Sequence, residues 1–234
     1  MKITDIKIYA AEYAQTSKSL TNKKWVFLKM ETDEGIHGWG EVGSSVNVSE
    51  NFMATAIKEV SPQLIGENPM DIDRLWNKLF RMFSYMGSRG FTTSLTAGFD
   101  IALWDIKGKV SGLPVYDLLG GRYRDPVRLY CNAWFTGCST PEEYAKAAKS
   151  NVVDNGHTAC KLDPFLEMTQ YHTMYQDGFI SEEGEQLGYD IVAAVREVVG
   201  PEIEILIDAH GHYNVPNAVR ISNNLYERFN IAWF

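Results

Sequence analysis

The sequence predicts a two-part protein: an α+β module over residues 1–125, then alternating strands and helices over residues 126–234. Three observations carry that expectation. Near the N-terminus, apolar and polar residues alternate in short runs separated by turn residues, the pattern of antiparallel strands with one buried face. From Ser49 to about Val110 the apolar spacing changes to three and four, the repeat of helices packed on one side. Beyond Gly120, Gly121 and Pro126 the order becomes strand, helix, strand, helix, which joins parallel strands through covering helices.

The first strand, over residues 1–10, carries Ile3, Ile6 and Ile8, and residues 25–31 repeat the alternation before the turn Thr32-Asp33-Glu34-Gly35. A third strand over residues 36–42 contains Gly38, Trp39, Gly40 and Glu41. Three strands joined by short turns predict an antiparallel meander. Ser49 or Asn47 is suited to cap a first helix, with Phe52, Ala56, Val60 and Leu64 expected on its inward face. Pro69 opens a second helix with Ile72, Leu75, Trp76 and Leu79 inward, and residues 93–110 form a third, long and strongly apolar. Strands first and helices after describe an α+β module, and its aromatic residues are read as core.

In the second part, residues 127–133 read as a strand, 141–155 as a helix ended by Gly156, and 158–162 as a second strand. A polar loop with Gly178 and Ser181 leads to a helix through about residue 199, a strand at 203–207, a helix at about 216–228 and a fourth strand at 231–234. An open doubly wound sheet and a closed (β/α) barrel both fit, and in either one ligands gather at the carboxyl ends of the strands. No G-x-G-x-x-G follows a strand, which counts against nucleotide binding. A barrel takes about 250 residues and eight strands, whereas four are visible, the last having no neighbour. The chain is therefore expected to be part of a longer enzyme, holding about half of a barrel.

The chemistry concentrates in residues 203–212, I-E-I-L-I-D-A-H-G-H. Ile205, Leu206 and Ile207 read as a strand buried on both faces, which stops at an acid, a histidine, a glycine and a second histidine. If the extended conformation continued through Ala209, Asp208 and His210 would point the same way. A carboxylate and an imidazole sharing a volume suit metal-assisted acid–base chemistry. A loop capping the next helix accounts for the same residues.

Composition narrows the partners. The chain is 45% hydrophobic and 22% charged with a net charge of -8. Without a basic stripe, nucleic acid is disfavoured, and the expected partner is a small molecule held by local positive charge or a metal. No apolar run approaches bilayer length and the N-terminus has no signal-peptide core, so no membrane partner and a cytoplasmic location are expected. Cys131, Cys138 and Cys160 are odd in number and lack C-x-x-C spacing, which reads as reduced thiols.

Three segments carry a resemblance that spans essentially the whole chain: T-D-E-G-I-H-G-W-G-E (residues 32–41), F-D-I-A-L-W-D-I-K-G-K (99–109) and L-P-V-Y-D-L-L-G-G (113–121). Together they resemble the capping domain of the enolase superfamily, mandelate racemase branch. The resemblance implies an α+β cap closing over a modified (β/α) barrel of the TIM type, and magnesium held by carboxylates at the ends of the third, fourth and fifth barrel strands. Asp208 matches the first of these ligands, and the others would lie beyond Phe234.

The implied chemistry is removal of the proton α to a carboxylate, with fixed positive charge meeting the enediolate as it develops. Where the branch carries K-x-K at the end of the second barrel strand, this chain has Lys161-Leu162-Asp163. Lys161 is retained as a catalytic or electrostatic partner, while an acid replaces the second lysine, which counts against a two-base racemase. Asp163 is expected to bind a substrate hydroxyl or orient Lys161. Sugar-acid dehydratases of this superfamily carry D-x-H at the next strand end, and Asp208-Ala209-His210 is similar to it. His210 is then the acid that protonates the departing β hydroxyl, with service as base also open.

His212 and Arg89 are weaker candidates for substrate contact, and residues 15–22, 43–49 and 166–182 are candidate loops over the mouth. The expected activity is magnesium-dependent dehydration of a sugar acid to a 2-keto-3-deoxy acid by a homo-oligomer. Racemisation or epimerisation is the alternative. A zinc-dependent barrel hydrolase using His210 and His212, or a sugar-acid binder without turnover, stands further off.

Overall fold

In a computed structural model, residues 1–12, 24–43, 49–87, 89–170 and 178–234 are described. The chain divides into two compact units, Met1–Asp125 and Pro126–Phe234. The candidate loop 15–22 and residues 44–48 and 171–177, with Tyr171, His172 and Tyr175, lie outside the described residues.

The first unit begins with β1 (Ile3–Glu12), β2 (Lys24–Thr32) and β3 (His37–Glu41), an antiparallel sheet in chain order. Val26, Leu28 and Met30 of β2 point into the core at perfect alternation. β1 does not alternate cleanly, because Ile3 and Ile6 are three apart. A register shift between Ile3 and Asp5 absorbs the extra residue, so that Ile3, Ile6 and Ile8 all reach the same core. Gly35, at φ 78°, closes the turn into β3.

Helices α1 (Glu50–Val60), α2 (Ile72–Met82), α3 (Phe91–Ser111) and the short α4 (Val115–Leu118) follow. Ser49 caps α1, its hydroxyl accepting from the Phe52 amide at 3.3 Å. The inward face of α1 differs from the sequence expectation: Met53, Ile57 and Val60 are buried, and Phe52 is half exposed and packs edge-on against Phe91. Trp76 likewise stands at the surface, stacked on Phe80 at 5.0 Å, while Ile72, Leu75 and Leu79 fill the core of α2. In both helices a large ring at the edge of the apolar stripe yields the interior to a slimmer aliphatic neighbour.

The glycines of β3 explain its sequence. A Cβ on Gly40 would sit 1.8 Å from the Gly98 carbonyl oxygen, and one on Gly38 2.0 Å from that of Ala102. The strand therefore lies directly on the backbone of α3. Asp105 accepts from the Trp39 amide at 2.8 Å, and Lys109 donates to the His37 carbonyl at 2.7 Å, pinning the same seam.

In the second unit, β4 (Ala159–Leu162) and β5 (Glu204–Ile207) pair in parallel. Around them lie α5 (Pro141–Ala148), α6 (Leu166–Gln170), α7 (Glu182–Val199) and α8 (Val215–Phe229). A Thr140–Glu143 capping box starts α5, which ends in a π turn at Lys149–Val153. Cys160, Leu162, Ile205 and Ile207 face the helices and meet Tyr144, Val152, Ile191, Val195, Ile221 and Leu225.

The strands expected at 127–133 and 231–234 reduce to single parallel bridges, Cys131 to Cys160 and Leu206 to Trp233. The order is still parallel and sequential: residue 131, β4, β5, residue 233. Each outer segment has a partner on one side only among the described residues. Val127 and Leu129 are correspondingly exposed.

Arg196 near the end of α7 locks the helix ends to the sheet, donating to the carbonyls of Gly200, Ile203, Phe229 and Asn230. Among the described residues no helix is long and apolar enough to cross a membrane.

Gly40→Ala is expected to destabilise the protein by about 3 kcal/mol, the upper end of overpacking costs; urea denaturation measures it, and a loss below about 1 kcal/mol would contradict the close seam. In the first unit, Glu67 accepts from Arg74 at 2.7 Å and Lys78 at 2.8 Å, and these cations hold its carboxyl down at about 2. A depressed carboxyl stabilises the fold above its usual value of 4.5 and loses that contribution as pH falls toward 2. The stability gap between wild type and Glu67→Gln should therefore be full at neutral pH and close across that acid window in thermal melts.

Candidate active site

The site is built where β4 and β5 end together. Leu162 pairs with Ile207, and the Asp208 amide donates to the Leu162 carbonyl at 3.1 Å, so Asp163 and Asp208 leave the sheet side by side. Alternation along each strand sends Leu162 and Ile207 to the helices and puts Lys161, Asp163, Leu206 and Asp208 on the opposite face. Lys161 is buried there, and its ammonium donates to Asp208 Oδ2 at 2.5 Å. The Trp134 indole donates to the Lys161 carbonyl at 2.9 Å and anchors the strand end.

His210 joins this group by a route the sequence did not indicate. The extended conformation stops at Ile207, and His210 adopts φ 48°, followed by Gly211 at φ 67°. In this left-handed turn the His210 amide donates to Asp208 Oδ1 at 3.0 Å. The ring swings across to β4, placing Nε2 3.0 Å from Asp163 Oδ2 and Nδ1 3.5 Å from Asp208 Oδ1. One ligand atom each from Asp163, Asp208 and His210 falls within 4.8 Å of the others.

Burial alone would push the Asp208 carboxyl up, but the Lys161 ammonium and the His210 amide outweigh it and hold it below the usual carboxylate range. The anionic form of Asp208 is thus favoured beside the buried Lys161 ammonium. Asp163 Oδ1 is buried and makes no hydrogen bond among the described residues.

The structure brings together four of the six expected site residues: Lys161, Asp163, Asp208 and His210. His212 stands next to them, its ring centroid 5.8 Å from that of His210, and its amide closes the turn onto the Ala209 carbonyl at 3.0 Å. Arg89 is an exposed residue of the first unit, where its carbonyl accepts from the Thr92 hydroxyl at 3.3 Å. Tyr144, which the sequence marks only as a helix residue, donates its hydroxyl to the Asp163 carbonyl at 3.2 Å. Nothing local in the sequence marks that contact or the Asp163–His210 pair, since both arise from tertiary packing. A cleft lined by Asp208, His210, Tyr213, Trp233 and Phe234 opens beside the cluster.

Comparison with known proteins adds two matching family models. Residues 5–120 match the mandelate racemase / muconate lactonizing enzyme N-terminal domain, and residues 143–234 match the enolase C-terminal domain-like family. The chain is 36% identical over 93% of its length to a D-galactonate dehydratase of Pectobacterium atrosepticum, covering 50% of that protein. It is 32% identical over 93% of its length to a D-gluconate dehydratase of Thermoproteus tenax, covering 44%. A D-galactarolactone cycloisomerase of Agrobacterium fabrum is 30% identical over the whole chain, which covers 58% of it. Among solved structures, an enolase superfamily member from Salmonella Typhimurium matches 97% of the chain with a TM-score of 0.79 at 32% identity, 59% of that structure being covered. The chain spans about half the length of the curated relatives it matches.

Asp208→Ala leaves the Lys161 ammonium, 10% exposed, without its carboxylate, and is expected to destabilise by about 2–3 kcal/mol. Adding Lys161→Met should recover at least half of that loss in urea denaturation. Additive losses in the double variant would show that the two groups are not coupled.

Proposed function

Since the chain belongs to the mandelate racemase and muconate lactonizing enzyme branch of the enolase superfamily, we propose that the complete protein dehydrates a sugar acid to a 2-keto-3-deoxy acid with magnesium. The observation that carries this reading is the position of His210, an imidazole held at the strand rim between two carboxylates, beside a buried lysine. Relatives named as galactonate, gluconate and xylonate dehydratases support the sugar-acid class. The parallel, sequential order around β4 and β5 supports a half barrel completed by residues outside this chain.

The donor set fits a hard cation in part. Asp208, at the rim and held ionised, offers carboxylate oxygen, as magnesium requires, and Asp163 Oδ1, without a hydrogen-bond partner among the described residues, lies in the same cluster. The imidazole suits magnesium poorly, which leaves it for proton transfer. Magnesium, when bound, supplies fixed positive charge for the substrate carboxylate and the charge that develops on it. Asp208 would hold it, together with ligands from outside this chain.

The chain's own residues then divide the work. Lys161 places a desolvated ammonium where an anionic substrate is drawn in and oriented. Loss of the α proton leaves an electron pair that expels the β oxygen, but hydroxide is a poor leaving group. His210 delivers a proton to that oxygen, so water departs. The group that takes the α proton is assigned to a strand beyond this chain. The same reading takes the protein to be a cytoplasmic homo-oligomer acting on a small carboxylate.

A second reading, proton abstraction without loss of water, is favoured by the relative named as a cycloisomerase. Incubating the complete protein and magnesium with a panel of aldonic and aldaric acids separates the two. Dehydration is expected to yield 2-keto-3-deoxy product from one or two acids, falling about 10²–10⁴-fold in His210→Asn. Deuterium entry at the α carbon in heavy water, with no keto acid from any member of the panel, would replace dehydration with epimerisation.

A further inference from the structure

We propose that Asp163 is a positioning residue for His210, accepting the Nε2 proton so that the proton exchanged with substrate resides on Nδ1. This rests on the dehydratase reading of His210, and it moves Asp163 away from the substrate contact expected of it.

The geometry is specific. Asp163 Oδ2 lies 3.0 Å from His210 Nε2, whereas Nδ1 is 3.5 Å from the nearest Asp208 oxygen, beyond a good hydrogen bond. Asp163 is not committed elsewhere: Lys161 donates to Asp208 instead, and the Asp163 Oδ1 atom is buried without a hydrogen bond among the described residues. Its backbone is held on both sides. The Tyr144 hydroxyl binds its carbonyl, and Pro164 and the buried Phe165 follow it. His210 is fixed from its own side by the Asp208 carboxylate, which accepts its amide in the left-handed turn. A rigid acceptor facing one ring nitrogen decides which nitrogen keeps its proton.

The consequence for the reaction is explicit. In the elimination the ring starts as the imidazolium, protonated on both nitrogens; its Nδ1–H bond breaks as the β C–O bond breaks, and the proton goes to the departing oxygen, which leaves as water. The electron pair left on the α carbon forms the new C=C bond, and the resulting enol becomes the keto acid. His210 emerges neutral with Nε2–H still on Asp163, the tautomer this acceptor favours. Asp163 therefore helps the ring before and after the transfer without touching substrate.

The test uses the complete protein, with ¹⁵N-labelled histidine and His210→Asn to assign the His210 signals. Without substrate, neutral His210 is expected as the Nε2–H tautomer in wild type, shifting toward Nδ1–H in Asp163→Asn and to a mixture in Asp163→Ala. A wild-type Nδ1–H tautomer, or no change in either variant, overturns the proposal. With an acid that wild type dehydrates, kcat in Asp163→Asn is expected to fall about 10²-fold with KM within about threefold. The Asp163→Asn/His210→Asn double variant should be no slower than His210→Asn alone. A raised KM at unchanged kcat, or multiplying losses in the double variant, would make Asp163 a substrate-binding residue. Should wild type dehydrate no acid, the dehydratase reading falls, while the tautomer still decides whether Asp163 sets His210.

Discussion

The second unit depends on one register. Because Leu162 stands opposite Ile207 in a parallel pair, the two strands release their chains at the same level. Asp163 and Asp208 are therefore adjacent although 45 positions separate them in the sequence. A slip of one residue in either strand would turn its polar group, Lys161 or Asp208, into the helices and send Leu162 or Ile207 to the opposite face. The four buried residues of β4 and the three of β5 make such a slip costly, since the helix-facing side is filled by Tyr144, Ile191, Val195 and Leu225. Packing on one face thus fixes the position of charge on the other.

That charge is arranged in series rather than in isolated pairs. Lys161 neutralises Asp208, Asp208 holds the His210 amide, and the His210 ring reaches Asp163. The first and last links cross between β4 and the turn after β5, and the middle one closes the turn itself, so no single segment carries the site. The left-handed turn at His210 and Gly211 is what lets the last link close. A residue other than glycine in that conformation costs on the order of 1 kcal/mol, a strain tolerated where function sets the geometry.

Much of the architecture was legible in local pattern. Alternation marked β2, three-four spacing marked α2 and α3, and the apolar run ending at Asp208 marked both β5 and its rim. What escaped was decided by contacts between elements. The bulge in β1 is visible only when Ile3 and Ile6 must both reach one core. Phe52 and Trp76 have the spacing of core residues, but Met53 and its aliphatic partners occupy the space instead. The edge segments at 131 and 233 have strand sequences, yet each keeps only a single bridge to its neighbour. At the site, Asp208 and His210 come together through a turn after Ile207 and not through the extended segment that their spacing suggests. The role of Asp163 was invisible because its partner lies on another strand.

Arg196 anchors its surroundings in a different currency. Its guanidinium is satisfied by four carbonyl oxygens at the end of α7, the approach to β5 and the end of α8, with no carboxylate partner among the described residues. Charge held by peptide dipoles has no counter-ion to protonate and little for dissolved salt to screen. This joint should therefore stay closed in acid or brine that loosens the carboxylate-bound contacts, keeping the helix ends registered on the sheet while the rim above them loses its charge pattern.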